Sequence, residues 1–438
     1  MFKQTKSVSH RLTGMLLIAA SAIYAQDHQD HAGQSPSRAG MGEMNPAGMF
    51  LMGLASGTSV NPASGSMPMV MMHFGQWNSM FMGTAFLVDT QQSGPRGGDK
   101  LYGPNWAMGS AQHRVGSKGT FEADLMLSLE AATTTDRRYP LLFQTGETAY
   151  GSALVDAQHP HNFIMSLGFH YTHQLNNDTF VDAYFAPVGD PALGPVAFPH
   201  RASAMELPQA TLSHHWQDST HIADEVLTVG ISHKKIKFEA SGFYGSEPGE
   251  NRWVVASGPI NSWSTRLWFF PSKNWAAQVS GGRIARPEAL EPGDQVRVTA
   301  SLHYSRPMQG RSWSSSVIWG RNHSTETKRD LNSYLVESVV PVRTGNFITG
   351  RFELVDKDEL FRGQPDIEER LDRSYGSTFR IGAYTVGYTR DIHLFQYFDT
   401  GLGANFSSYS LPAAIKPYYG DHPAGASFFV RFRLRSPS

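Results

Sequence analysis

Apolar and polar residues alternate strictly along many segments, from about residue 77 to the C-terminal end of the chain. In TFEADLMLSLE (120–130), QVRVTASLHY (295–304) and SFFVRFRLR (427–435), every second residue is apolar. A repeat of two residues places successive side chains on opposite faces of a β-strand. The alternation therefore predicts an all-β fold whose sheet has one apolar and one polar face.

The connections between these segments alternate between short and long. The short turns lie at 116–119, 175–178, 233–235, 271–274, 307–310, 342–345 and 390–393. The long connections, rich in Gly and Pro, lie at 92–104, 135–160, 188–220, 246–258, 286–294, 322–330, 356–375 and 408–424. Outer-membrane barrels have short periplasmic turns and long outer loops, and these connections join about 16 strands. We therefore predict a transmembrane antiparallel β-barrel at 76–438.

A soluble sandwich or solenoid would also alternate, so strand length has to decide between the classes. The strands run to about 10–15 residues, which is long for a soluble sheet and suits a tilted membrane strand. Trp263, Trp275, Trp313 and Trp319 lie near strand ends, where an interfacial aromatic girdle is expected. We expect a barrel in the cell outer membrane, with outer-membrane lipid and the barrel-assembly machinery as partners.

The N-terminus has the features of an export signal. Lys3, Lys6 and Arg11 precede an apolar run at 12–23, which is too short to span a membrane. Residues 1–25 are therefore predicted to be a signal peptide. The chain has no cysteine, so an exported form cannot rely on disulfides. Its net charge of -1 argues against nucleic acid as a partner.

The inward faces of the predicted strands carry two groups of charges. In FIMSLGFHYTH (163–173), Met165 is expected to face outward and His170 inward. The predicted lumen residues are Glu122, Asp124, Asp182, His170, Arg266, Arg297, Arg351, Arg431 and Arg433. Opposed acidic and basic walls would suit passage of small polar solutes. Pairing of the same charges would instead plug the lumen, and the sequence leaves both alternatives open.

Two long connections bring histidines to the predicted outer mouth of the barrel. The candidate metal ligands there are His159, His161, His214, His215 and His221. Together with Asp156 or Asp218, these imidazoles could bind Zn²⁺ or Cu²⁺. Their spacing is not that of a structural zinc site, and no cysteine completes one. The alternative is that they form only hydrogen bonds in a wet mouth.

Residues 26–75 differ in composition from the barrel and are predicted to be a flexible periplasmic leader. Its candidate metal ligands are His28, His31, Met41, Met44, Met49, Met52, Met69, Met72 and His73. Six of these methionines form Met-x-x-Met pairs. Thioethers select Cu(I), and His with Asp suits Cu(II). The alternative is that methionine acts here as a flexible apolar filler.

The segment DHQDH (27–31) and the Met-x-x-Met pairs, placed ahead of a predicted barrel, resemble the copper-resistance protein B family of Gram-negative bacteria. The resemblance covers residues 26–75. The barrel, with FQTGETAYG, DAQHPHNF and HHWQDSTH, is similar to outer-membrane proteins of unassigned function. The resemblance implies metal handling at the outer membrane, and periplasmic copper proteins are the partners that we expect for such a leader.

These patterns predict a barrel for metal handling, chiefly of copper, or for passage of small polar solutes. A general or substrate-specific porin without metal binding is the first alternative, and a purely structural barrel is another. A barrel-embedded lipid hydrolase needs a Ser–His dyad that faces the bilayer. The pairs Ser301/His303 and Ser166/His170 alternate onto the inward face. We therefore expect no enzyme and no catalytic residue.

Overall fold

A computed structural model describes residues 44–65, 67–375, 378–392 and 394–435 of the 438-residue chain. The predicted signal peptide and the candidate ligands His28, His31 and Met41 lie outside the described residues. Within the described part, no helix is long and apolar enough to cross a bilayer.

Most of the described residues belong to β-strands. In chain order the strands are β1 (Val70–Phe74), β2 (Trp77–Gln92), β3 (Lys100–Tyr102), β4 (Asn105–Val115), β5 (Gly119–Leu127), β6 (Tyr139–Ala149), β7 (Ser152–Gln158), β8 (Ile164–Asn176), β9 (Thr179–Gly189), β10 (Ala223–His233), β11 (Ile236–Tyr244), β12 (Ser262–Ser272), β13 (Trp275–Ile284), β14 (Gln295–Met308), β15 (Arg311–Ser324), β16 (Asp330–Arg343), β17 (Asn346–Lys357), β18 (Phe379–Ile392), β19 (Phe398–Ser410) and β20 (Ala424–Leu434). The barrel is formed by β2, β4, β5 and β8 to β20. Each of these strands pairs antiparallel with the next one of the set along the chain, and β20 closes the ring by pairing with β2. The predicted barrel of 16 strands is confirmed.

The remaining elements lie at the ends of this barrel or inside it. Strands β1 and β3 extend the edges of β2, and β6 and β7 form a separate hairpin. The helices are α1 (Pro46–Met52), α2 (Glu130–Thr133), α3 (His214–Gln217), α4 (Pro365–Tyr375) and α5 (Lys416–Tyr419), and 3₁₀ turns lie at Thr135–Arg137, Phe198–His200, Ser219–His221 and Ala413–Ile415.

The two faces of the strands differ as the alternation predicted. In β14, Val296, Val298 and Leu302 are exposed on the outside, whereas Arg297 and Thr299 are buried inside. The outward faces thus form an apolar surface of the kind that contacts lipid. The short turns and long connections also alternate around the described barrel as expected.

The long connection between β9 and β10 is folded into the barrel. Residues 190–222, which we call the lumenal connection, are all buried except Pro199, Met205 and Gln209, which are half-buried. Their polar groups bond to inner-wall residues from strands around the ring. The bonds include Ala192 N to Ser241 Oγ (2.8 Å), Ser213 Oγ to Glu353 Oε1 (2.9 Å) and Arg297 Nη1 to Ser219 Oγ (2.9 Å). The alternative that placed the histidines of this loop in a wet mouth does not fit this burial.

A second segment, residues 44–65, also packs on the inner wall. The Asn45 side chain donates to the carbonyl of Gly119 (2.9 Å), and Lys237 donates to the carbonyl of Thr58 (2.9 Å). Helix α1 buries Ala47 and Leu51 against the barrel. The prediction of a flexible leader does not hold for these residues, because the wall supplies partners for their backbone and side chains. The boundaries 26–75 stay a prediction.

Candidate functional site

The structure brings together five of the predicted metal ligands, His159, His161, His214, His215 and His221, which we call the histidine cluster. Its rings follow one another in contact. The centroids lie 5.4 Å apart from His161 to His221, 5.1 Å from His221 to His214, 5.3 Å from His214 to His215 and 6.4 Å from His215 to His159. Phe198 packs against three of these rings. Histidines from two distant connections therefore form one continuous group inside the barrel.

Asp218 organises the part of the cluster that the lumenal connection contributes. It lies between α3, which carries His214 and His215, and the 3₁₀ turn that ends at His221. Its Oδ2 accepts from the backbone N–H of Phe198 (3.0 Å) and from Arg201 (2.9 Å). One carboxylate thus fixes both the path of the chain and the neighbouring imidazoles.

Three of the imidazoles are held through their Nδ1 atoms. The Nδ1 of His161 lies 2.9 Å from Glu130 Oε1, that of His214 lies 2.8 Å from Asp218 Oδ1, and that of His221 lies 2.8 Å from the Asp218 carbonyl. A carboxylate or carbonyl only accepts, so each Nδ1 must donate. In the neutral ring the proton therefore sits on Nδ1, and Nε2 keeps its lone pair. Histidines that ligate metals are oriented in this way by their outer partners.

Burial keeps most of these rings neutral. It lowers the pKa of His159 and of His214 to about 4, and it lowers the pKa of His221 well below its ordinary value. Burial also acts to lower the pKa of His215, but the carboxylates of Glu247 and Glu288 outweigh it and raise that pKa to about 10. Neutral imidazole is the form that binds metal ions.

His215 differs from its neighbours in its distances to carboxylates. Its Nδ1 lies 3.6 Å from Glu247 Oε1 and 3.5 Å from Glu288 Oε1, whereas the His159–Glu147 contact closes to 2.7 Å. Among the described residues, His215, Glu247 and Glu288 are the one set of at least three whose ligand atoms all lie within 4.8 Å of one another. Sequence reasoning missed both glutamates, because acidic residues in Gly/Pro-rich loops are ordinarily solvated.

The predicted lumen residues all lie on the inner wall and are buried. Most have charged partners inside the barrel: Arg266 pairs with Glu239, Arg351 with Glu337, Asp182 with Lys237, and Arg431 and Arg433 with Glu206 of the lumenal connection. Glu122 accepts from Gln112, Asp124 from Ser166, and His170 stacks on Tyr184. The sequence left open whether these charges form opposed walls of a pore or pair with one another and plug the lumen. In the described residues the charges are paired and the lumen is filled.

The described candidate ligands of the leader differ in their exposure. Met49 and Met72 are exposed, Met44, Met52 and Met69 are half-buried, and His73 hydrogen-bonds to Asn78 at the exposed β1–β2 hairpin. Met69 and Met72 are three residues apart in nearly extended backbone, a spacing that points side chains to opposite faces.

Met165 does not face outward as predicted. The pairing of β5 with β8 shifts in register, so that Met126 faces Ser166 while Leu127 faces Ile164. Met165 lies at this bulge and is only 2% exposed. It belongs to the same buried cluster as Met126, and Met108 packs against this cluster. Sequence reasoning missed Met108 and Met126 as site residues, although an apolar Met126 among the polar inward positions of β5 was a usable signal.

The Ser–His pair considered for a hydrolase lies inside the barrel. Ser301 and His303 are hydrogen-bonded (2.9 Å) and buried, and the Nδ1 of His303 is held by Ser316 (2.8 Å) rather than by an acid. A dyad with this orientation does not face lipid.

Comparisons with known proteins give the fold. No protein-family model and no curated protein matches the chain in sequence. OmpF of Salmonella typhi, solved in a complex with daunomycin, has a TM-score of 0.51 at 8% identity, over 83% of this chain and 100% of its own. The anion-selective porin from Comamonas acidovorans has a TM-score of 0.50 at 10% identity, over 82% of this chain and 100% of its own. The chain therefore has an outer-membrane porin-like barrel fold.

Proposed function

We propose that this chain is an outer-membrane barrel that handles transition-metal ions, with the histidine cluster as its binding site for Zn²⁺ or Cu²⁺. The observation that carries the proposal is the continuous contact of five imidazoles, of which His214, His215 and His221 are buried and the other two are half-buried. Three of them have Nδ1 fixed by an acceptor, which leaves Nε2 to bind. Sites built from imidazole and carboxylate suit Zn²⁺ and Cu²⁺.

The arrangement of His215, Glu247 and Glu288 also supports a metal-binding site. Two ligands about 2.1 Å from a tetrahedral ion lie about 3.4 Å apart. The Nδ1 of His215 lies 3.5 and 3.6 Å from the two carboxylates, which is too long for a good hydrogen bond and close to that separation. The three side chains come from three different outer connections, so one ion would join them.

The outer membrane is the location that this proposal requires. It is supported by the apolar outward faces and by the fold shared with an anion-selective porin. Outer-membrane lipid and the barrel-assembly machinery are the partners of any such barrel. For the leader we propose Cu(I) binding at its methionines and exchange with periplasmic copper proteins. Passage of an ion through the lumen would require movement of the lumenal connection, which fills it.

Passage of small polar solutes without metal binding is the second candidate function. The fold shared with a porin favours it, as do the arginines on the inner wall. The two candidates differ in a simple respect. In a plain channel, Zn²⁺ would not bind tightly and would not change conductance. We do not propose an enzymatic activity, because the buried Ser–His pair has no acid partner and faces inward.

Metal titration of the folded, full-length mature barrel in detergent tests the proposal. We expect isothermal titration with Zn²⁺ to detect tight binding, and a variant carrying His161→Gln and His214→Gln to bind about tenfold more weakly or worse. The matched control carries His173→Gln and His233→Gln, which lie next to the short turns at the other end of the strands. Equal affinities in all three proteins would favour the plain channel.

A further inference from the structure

A small cavity lies between the inner wall and the lumenal connection. Its volume is about 20 Å³, which is room for roughly one water molecule or one ion. Its lining includes three thioethers, two imidazoles and one carboxylate, from Met108, Met126, Met165, His200, His221 and Asp190. This composition differs from that of the histidine cluster, which has no sulfur.

The three methionines, which we call the methionine ladder, come from three adjacent strands. Met108 of β4 is the direct cross-strand partner of Met126 of β5. Met165 of β8 reaches the same face because it lies at the bulge opposite Met126. Direct cross-strand neighbours lie within side-chain contact distance of each other. The barrel therefore presents three methionine side chains that pack together on its inner wall and line one cavity.

The two histidines complete the cavity from the lumenal connection. The Nε2 of His200 lies 3.2 Å from the sulfur of Met126. His221 is 8% exposed, its Nδ1 bonds to the Asp218 carbonyl, and its Nε2 has no hydrogen-bond partner among the described residues. The Oδ2 of Asp190 is also buried without a hydrogen-bond partner there. Buried polar atoms without partners are uncommon, and a bound ion would satisfy them.

We propose that the methionine ladder, together with His200 and His221, binds one Cu(I) ion. Soft thioethers select Cu(I) over the divalent ions, and imidazole accepts either oxidation state of copper. The carboxylate of Asp190 would balance the single positive charge in this buried place. The inference rests on the proposed metal handling and deepens it. The proposed Cu(I) site lies at the barrel wall. It adjoins the histidine cluster because the two sites share His221.

The test uses the full-length folded barrel and two probes, Cu(I) under anaerobic reducing conditions with a competing chelator, and Ag⁺. The test variant carries Met108→Leu, Met126→Leu and Met165→Leu, because leucine keeps the volume and removes the sulfur. The control variant carries Met71→Leu, Met80→Leu and Met308→Leu, which neither line this cavity nor belong to the candidate ligands of the leader. Faster migration of unheated protein on gels verifies that each barrel is folded.

We expect the test variant to lose one site that the wild type and the control variant keep, with at least about a tenfold loss of affinity. X-ray absorption should show sulfur and nitrogen neighbours for bound Cu(I), and His200→Gln should reduce the nitrogen contribution. Unchanged Ag⁺ binding in the test variant would overturn this inference, while Zn²⁺ binding at the histidine cluster would leave the proposed function intact. A wild type that binds neither Ag⁺ nor Zn²⁺ would overturn both.

Discussion

Arg201 and Glu337 form a fully buried ion pair inside the barrel, with the Nε of Arg201 2.6 Å from Oε1 of Glu337. Arg201 belongs to the lumenal connection and Glu337 to β16. The same guanidinium reaches Asp218 (2.9 Å), and the other oxygen of Glu337 accepts from Arg351 (3.0 Å). This pair therefore links the wall, the lumenal connection and the residue that organises the histidine cluster.

Replacing Glu337 by Gln should release the lumenal connection. The change leaves Arg201 and Arg351 buried with one partner fewer, and breaking a buried pair in this way costs about 3–5 kcal/mol. We expect higher bilayer conductance and faster protease cleavage within 190–222. Glu326→Gln is the control, because it removes the same charge from an exposed turn. Conductance equal in the wild type and both variants would show that this ion pair does not hold the lumen closed.

Glu206 provides a second, independent test of how the lumen is kept filled. Its carboxylate is completely buried and pairs with both Arg431 and Arg433 on β20. Glu206→Gln leaves Arg433 facing a neutral amide and leaves Arg431 with only its second carboxylate partner, Asp391, so we expect the connection to leave the wall near β20. Tritium or deuterium exchange at 202–210 should rise by at least about tenfold, while exchange at the Arg201–Glu337 contact rises less. Uniform exchange across both regions would contradict separate attachment points.

The barrel itself follows from the sequence, whereas the filling of its lumen does not. Alternation fixes which side chains face lipid, as in β14, where Val296 is exposed and Arg297 is buried. The same rule fails at Met165, because a β-bulge turns its side chain to the inner face of the barrel. No local residue pattern indicates this bulge. From its sequence, a loop such as 190–222 is expected to be solvated. The partners of its charged residues lie on strands that are distant in sequence, so local patterns do not indicate that the loop is buried. Glu206 and Arg431, for example, are 225 residues apart.

Some residues of the candidate site could likewise be predicted from the sequence, and others could not. The histidines of the outer connections could be selected from sequence because all five occur in two short segments, and the barrel brings those segments together. Glu247 and Glu288 could not be selected, since each is one acidic residue in a separate loop. Their relation to His215 depends on three connections folding against one another, which pairing of neighbouring strands does not determine.

The connection after β17 should respond to pH through Asp358. Burial, reinforced by the charge of Glu291, raises the pKa of Asp358 to about 6. An Asp in a released connection has a pKa of about 3.9. The contribution of Asp358 to the packed state is therefore complete below about pH 4 and is lost as the pH rises through about 6.

We accordingly expect limited proteolysis at 358–375 to be faster at about pH 7.5 than at about pH 5, after correction for the activity of the protease. Asp358→Asn removes the titrating group and should flatten this difference. Asp366→Asn, an exposed change of the same kind in α4, should leave it unchanged. A pH dependence that persists in Asp358→Asn would assign it to another group.

Gly146 connects the β6–β7 hairpin to the histidine cluster and gives the last test. A Cβ at this position would lie 2.5–2.9 Å from three atoms of the His215 ring, and the backbone φ of +110° is one that side chains rarely adopt. Gly146→Ala must therefore move either the hairpin or the imidazole. We expect Zn²⁺ affinity to fall by about tenfold while the barrel stays folded. Gly249→Ala is the matched control, since its added Cβ meets nothing within 4 Å. If Gly146→Ala binds Zn²⁺ as tightly as Gly249→Ala, the position of His215 does not matter for the metal.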